Sequence, residues 1–274
     1  MPNFAILLPP AEGKRDGGNP FAPDMFDYRS SNTFNYFNEL NPERRALIDA
    51  LQKTIRESDT ATLEKIFGVK GETLEETIRT NLALYEAPLM SALDRYSPGV
   101  MFKAMDFAGL PTGAQRRLLE QGIIFSGLFG LLRPDDLIPN YRLRMDAVLP
   151  EIGKVSQYWR PHVSKLLNRR LEGAYVWNLL PGAHQEAWDD THTYAEMVVV
   201  KFFIERDGER KPVSHGVKPL RGRLVNFIVR ETLEDYEPLR NWEHPDGYRL
   251  DEAASTYDEA TRTRTLVMVK AENG

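Results

Sequence analysis

The sequence predicts an α+β fold: one mixed β-sheet flanked by helices, in a single domain spanning 1–274. Three observations carry that expectation. Strand-like apolar runs stand at both ends of the chain, residues 3–8 and 263–269, and no linker-like stretch divides them. Helix-period apolar residues concentrate in the first half. Hairpin signals concentrate in the second, one of them with Asp207-Gly208 at its tip.

Taken in order, residues 3–8 are a first strand closed by Pro9-Pro10, and residues 11–23 (AEGKRDGGNPFAP) are a loop by their glycine and proline content. Leu47, Ile48, Leu51 and Ile55 form one helical stripe over residues 44–55. Residues 60–67 continue the helical pattern, Gly68-Val69-Lys70-Gly71 interrupts it, and 72–84 resume it with Leu74, Ile78 and Leu82 on one face. A further helix covers 111–121, with Thr112 expected as its N-cap and Gly122 as its stop. Residues 123–126 are a buried strand running into FSGLFGLLRPDDLIPNYRLRM, Phe125 to Met145. A helix follows over 155–170, with strands over 173–180 and 195–204. Residues 205–209 turn toward a return strand at 211–215. A helix over 220–231 and strands at 248–251 and 263–269 complete the chain.

The bulk composition narrows the function classes. Of the residues, 42% are apolar and 27% charged, the balance of a globular chain with a sizeable core. No stretch approaches the roughly 18 apolar residues of a membrane span, and the N-terminus lacks a signal-peptide pattern. The chain has no cysteine, which excludes disulfides, thiolate nucleophiles and cysteine-ligated metals and fits a cytoplasmic location. A net charge of −5 argues against a nucleic-acid binder, although a local basic patch overrides a global balance.

Histidines 162, 184, 192, 215 and 244 are scattered, with no pair at helical metal-ligand spacing, so neither a metal nor a cofactor is expected. Ser126 lacks the glycine two residues before it that a nucleophile elbow needs, and reads as a small residue where a strand closes into a turn. Ser214 and His215 are neighbours in an expected strand and face opposite ways. No catalytic constellation emerges. Gly68–Gly71 is either an ordinary inter-helix turn or a hairpin whose amides and helix N-terminus, with Lys70, face a phosphate. The basic residues fall in three sets: Lys14 and Arg15 in the first loop, Arg133, Arg142 and Arg144 in the central segment, and Lys218, Arg221 and Arg223 just before the helix at 220. If those loops share one sheet edge, the charges converge on an anion site. The alternative is internal pairing with Asp135, Asp136 and Asp146.

The segment SGLFGLLRPDDLIPNYRLRM, Ser126 to Met145, resembles the SGLYGxLRPxDxIxPYRLEM signature of the YaaA family of bacterial peroxide-stress proteins. ILLPPAEGK, YSPGVMFKAMD (Tyr96 to Asp106), Val176-Trp177-Asn178-Leu179, SHGVKPLRG (Ser214 to Gly222) and Gly247-Tyr248 resemble further family segments along nearly the whole chain. The resemblance implies a cytoplasmic protein that limits iron-dependent Fenton damage, with a compact α+β domain, a helix–hairpin–helix element and a basic cleft that binds duplex DNA. It places Lys14, Arg133, Tyr141, Arg142, Lys218 and Arg221 on family positions, and raises Lys70 with its hairpin. Ala11, Arg144, Pro181-Gly182 and Pro219 depart from the pattern. Two ligands remain open: double-stranded DNA, or a small phosphorylated or nucleotide-like molecule in the same cleft, its base stacked on Tyr141, Tyr248 or Trp159.

Overall fold

The sheet is built on a parallel centre: β12 (Thr263–Ala271), β9 (Glu196–Arg206), β8 (Tyr175–Asn178), β1 (Phe4–Leu8) and β3 (Gly122–Ser126) lie side by side in that order. Antiparallel strands close it on three flanks. β4 (Gly130–Leu132) folds back on β3, β11 (Arg249–Asp258) on β12, and β10 (Glu209–Pro212) on the far half of β9. Strands buried on both faces need apolar residues throughout, and FAILL of β1 and GIIFS of β3 are buried at every position. This computed structural model describes residues 3–20, 36–214 and 216–271.

The helices fill the crossovers. Between β1 and β3 run α1 (Asn41–Glu57), α2 (Thr60–Phe67), α3 (Gly71–Leu82), α4 (Ala92–Arg95), α5 (Val100–Met105) and α6 (Thr112–Gln121). α7 (Val155–Arg170) and α8 (Gly182–Gln185) flank β8, and α9 (Val217–Glu231) follows β10. Two short ribbons, β2 (Met90–Ser91) with β5 (Leu137–Ile138) and β6 (Val148–Leu149) with β7 (Gly153–Lys154), brace the loops. One apolar cluster runs from Phe4 to Met268, with Trp159, Trp177 and Phe125 deep inside it. Among the described residues no helix is long and apolar enough to cross a membrane.

The α+β class and mixed sheet agree with the sequence expectation, and the differences have local causes. The antiparallel signals mark the sheet's flanks, whereas its centre is parallel because each crossover carries helices. Pro111, not Thr112, caps α6: its carbonyl accepts from the amides of Ala114 and Gln115, and no side chain caps that end. Gly122 ends α6 in an extended conformation and opens β3 directly. α9 begins at Val217 rather than at 220, so Lys218 and Arg221 lie inside the helix; Pro219 falls in its first turn, where an amide has no helical partner anyway. β11 extends beyond 251 to Asp258 by way of a register shift between Asp251 and Thr256. β10 ends at Pro212; His215, and residues 21–23 of the first loop, lie outside the described residues.

Candidate anion site at the carboxyl end of the sheet

In open α/β sheets ligands bind where loops leave the carboxyl ends of parallel strands. Here those loops follow Leu8, Ser126 and Asn178. The first is held from beneath by Arg95, fully buried, whose guanidinium donates to the carbonyls of Gly17 (3.0 Å), Pro88 (3.1 Å), Ile138 (3.3 Å) and Arg15. The amide of Arg15 donates back to the Arg95 carbonyl at 2.8 Å, and Asn140 Nδ2 donates to Asp16 Oδ1 at 2.7 Å. A loop rich in glycine thus becomes a fixed platform for Lys14.

The Lys14 side chain turns inward. Its ammonium lies 4.3 Å from the ring centroid of Tyr141 and 5.7 Å from that of Tyr96, and donates to the Glu12 carbonyl at 3.4 Å. Burial, helped by the nearby Arg142 guanidinium and then Arg95, lowers its pKa to about 7 against the pull of Glu12. Beneath it runs a chain of buried hydroxyls. Tyr141 Oη is 2.6 Å from Tyr96 Oη and 2.7 Å from Ser126 Oγ, and Ser126 Oγ accepts from the Phe129 amide at 3.1 Å. Burial pushes Tyr141 up to about 12 and Tyr96 well above the usual tyrosine range, so both phenols stay protonated.

The glycines of the central segment explain how Tyr141 reaches this place. A Cβ on Gly127 would stand 2.4 Å from the Leu143 carbonyl oxygen, so the chain at 141–145 can cross β3's end only over a glycine. Gly130 takes φ +70° and lies against Trp159, whose indole Nε1 donates to the Gly127 carbonyl at 2.8 Å. Asn81, buried at the end of α3, fixes Arg142: its Oδ1 accepts from the Arg142 amide and its Nδ2 donates to the Arg142 carbonyl, both at 2.9 Å. Among the described residues the Arg142 guanidinium has no carboxylate partner. Arg144 pairs with Asp146 at 3.0 Å and packs its guanidinium over Gly68, which brings the α2–α3 turn beside this segment. On the next strand over, α8 carries His184, which burial holds near 4 and therefore neutral.

The predicted residues divide. Lys14, Tyr141 and Arg142 meet. Lys218 and Arg221 come to the same end of the sheet. The Val213 amide bonds the Phe202 carbonyl just before α9, and the helix then descends until Trp177 Nε1 donates to the Leu233 carbonyl. Arg221 is partly buried, and its Nε has no partner among the described residues. Lys70 is exposed and pairs with Glu64 at 3.3 Å; Gly68 ends α2 in the left-handed region at φ +66°. Arg133 does not converge with the others. It follows β4, which runs antiparallel to β3 and so ends at the amino end of the parallel strands; there it donates to the Leu119 carbonyl, pairs with Asp135 at 3.2 Å and lies 3.6 Å over the Tyr36 ring. Tyr141, Tyr248 and Trp159 are buried at 2%, 5% and 0% exposure, so none offers a free face for stacking a base.

Sequence reasoning missed Tyr96, Arg95, Asn81 and the hydroxyl role of Ser126. The available signal for Tyr96 was the YSPG segment itself: a Cβ on Gly99 would stand 2.4 Å from the Ala11 Cβ, so that glycine lets the lysine loop approach. Arg95 and Asn81 act through backbone atoms distant in sequence, and nothing local marks them.

The similarity to known proteins runs along most of the chain. The family described as peroxide stress protein YaaA matches residues 4–254. A UPF0246 protein of Corynebacterium glutamicum is 33% identical over 82% of this chain and 84% of its own length. A UPF0246 protein of Streptomyces coelicolor is 30% identical over 82% of each chain. An uncharacterised protein of Campylobacter jejuni is 26% identical over 85% of this chain and 88% of its own. With the match running through the lysine loop, the Tyr96 segment and the arginine-bearing signature, the chain belongs to the peroxide stress protein YaaA family.

Proposed function

We propose that this chain protects the cytoplasm against peroxide by holding the phosphate backbone of duplex DNA against the carboxyl end of its sheet. Arg142, Lys218 and Arg221 supply the contacts, the α2–α3 turn acts as a helix–hairpin–helix element that adds Lys70 and its backbone amides, and Lys14 forms the floor. One observation carries the reading: the Arg142 guanidinium stands without a carboxylate partner among the described residues, in a chain of net charge −5, beside a second cation. Cations condensed on duplex DNA leave when protein cations replace them. Ferrous ions leaving the backbone in this way would no longer direct Fenton chemistry at it. Titration of a fluorescent duplex across a salt series tests the reading. Affinity should fall steeply with salt and weaken in R142A; an affinity indifferent to salt, or none at low salt, sinks it.

A second reading has its own support. The Lys14 ammonium is enclosed between two tyrosine rings, a setting suited to one small phosphorylated or nucleotide-like ligand rather than a polymer. A thermal-shift screen of nucleotides and sugar phosphates separates the two, since only this reading expects a shift without DNA.

A further inference from the structure

We propose that Lys14 is an amine nucleophile that forms an imine with an aldehyde or ketone on a small anionic molecule, the anion being met by the Arg142 guanidinium. The inference goes beyond duplex binding and does not depend on it. A chain that binds no DNA would still form the adduct.

The geometry supports each requirement of that chemistry. An amine attacks a carbonyl only through its free lone pair, so it must be neutral, and lysines are made so by desolvation and a neighbouring cation. Both are present at Lys14. The groups facing it are the Tyr96 and Tyr141 rings, the Arg95 and Arg142 guanidiniums and Glu12 of its own loop. Glu12 receives a hydrogen bond from Lys14 through its backbone carbonyl, and no carboxylate lies within ion-pair distance among the described residues. With its pKa near 7, about half the amine is neutral at neutral pH. Arg95 has its guanidinium committed to loop carbonyls, whereas that of Arg142 holds no carboxylate among the described residues. The cation needed for the substrate's charge is thus distinct from the one that fixes the loop.

The step balances without any redox partner. The Lys14 lone pair forms a C–N bond to the carbonyl carbon, and the π pair moves to oxygen. A proton passes from nitrogen to that oxygen, giving a carbinolamine. The C–O bond then breaks, its oxygen leaving as water with one further proton, and the protonated imine remains. Desolvation of the nitrogen favours this dehydration.

The test uses the full chain with glyceraldehyde 3-phosphate and cyanoborohydride, whose hydride converts the imine to a stable secondary amine, followed by peptide mapping. Lys14 should be labelled at least about tenfold faster than the exposed Lys70, with a half-maximal rate near pH 7. R142Q should slow labelling by the phosphate and by glyoxylate but not by uncharged propionaldehyde. K14R should abolish the rapid phase; if that variant does not fold, the wild-type peptide map decides alone. Labelling spread evenly over exposed lysines, or none at Lys14, overturns the proposal. Duplex binding measured on the same wild-type sample reports separately on the DNA reading.

Discussion

Asn81 and Arg142 are joined by a pair of hydrogen bonds, amide side chain to main chain in both directions, each 2.9 Å long. The side chain imitates a neighbouring strand and ties the end of α3 to the segment carrying Tyr141. Because Asn81 is fully buried, Asn81→Ala leaves a backbone donor and acceptor without partners, and should cost about 2–3 kcal/mol. Urea unfolding measures it. N81D should not rescue, since its carboxylate would face the Arg142 carbonyl.

Lys14 gives a pH dependence of defined sign. Its folded pKa near 7 lies below the unfolded value of 10.5, so between those limits the unfolded chain binds more protons. Stability from this group therefore rises with pH through that window, and its burial cost is greatest below it. Lys14→Met should be more stable than wild type at pH 6, and the gap should narrow toward pH 10. Parallel unfolding curves at both values check it; a gap that widens with pH contradicts the burial of the amine.

Gly127→Ala places a methyl 2.4 Å from the Leu143 carbonyl oxygen, where the backbone must give way. The expected loss is about 3 kcal/mol. Gly13→Ala, in the lysine loop with nothing within 4 Å of its added carbon, should leave the melting temperature unchanged. Thermal melts of the two variants compare a close approach with a free loop position.

Arg133 and Arg142 should separate stability from binding. R133A removes bonds to Leu119 and Asp135 and a contact with Tyr36, and should lower stability while leaving anion affinity near wild type. R142A should do the reverse, because its side chain holds nothing among the described residues while its backbone bonds to Asn81 survive. Calorimetry beside a binding titration distinguishes them.

What could be read in advance follows from the range of each interaction. Helical stripes and buried strands are local patterns, so α1, α2, α3, α7 and β1 stand where periodicity puts them. α4 and α5 are too short to show a period, and were missed. Arginines in one short segment resemble one another in sequence, yet the chain reverses at Gly130 and carries Arg133 to the amino end of the parallel strands while Arg142 returns to their carboxyl end. The two aspartates beside them also part: Asp135 pairs with Arg133, whereas Asp136 is buried and accepts from the amides of Tyr36 (2.8 Å) and Arg133 (2.7 Å). Charge is legible from sequence; the end of the sheet at which it emerges is set by long-range pairing.

The buried hydroxyls of Tyr96, Tyr141 and Ser126 obey a simple count. Three oxygens carry three hydrogens, but the two contacts at 2.6 Å and 2.7 Å use only two of them. One hydrogen is always left over. Reversing both bonds together moves that spare donor from the tyrosine end of the row to the serine end without moving a heavy atom. The buried row beneath Lys14 can therefore change its polarity by turning hydroxyls alone.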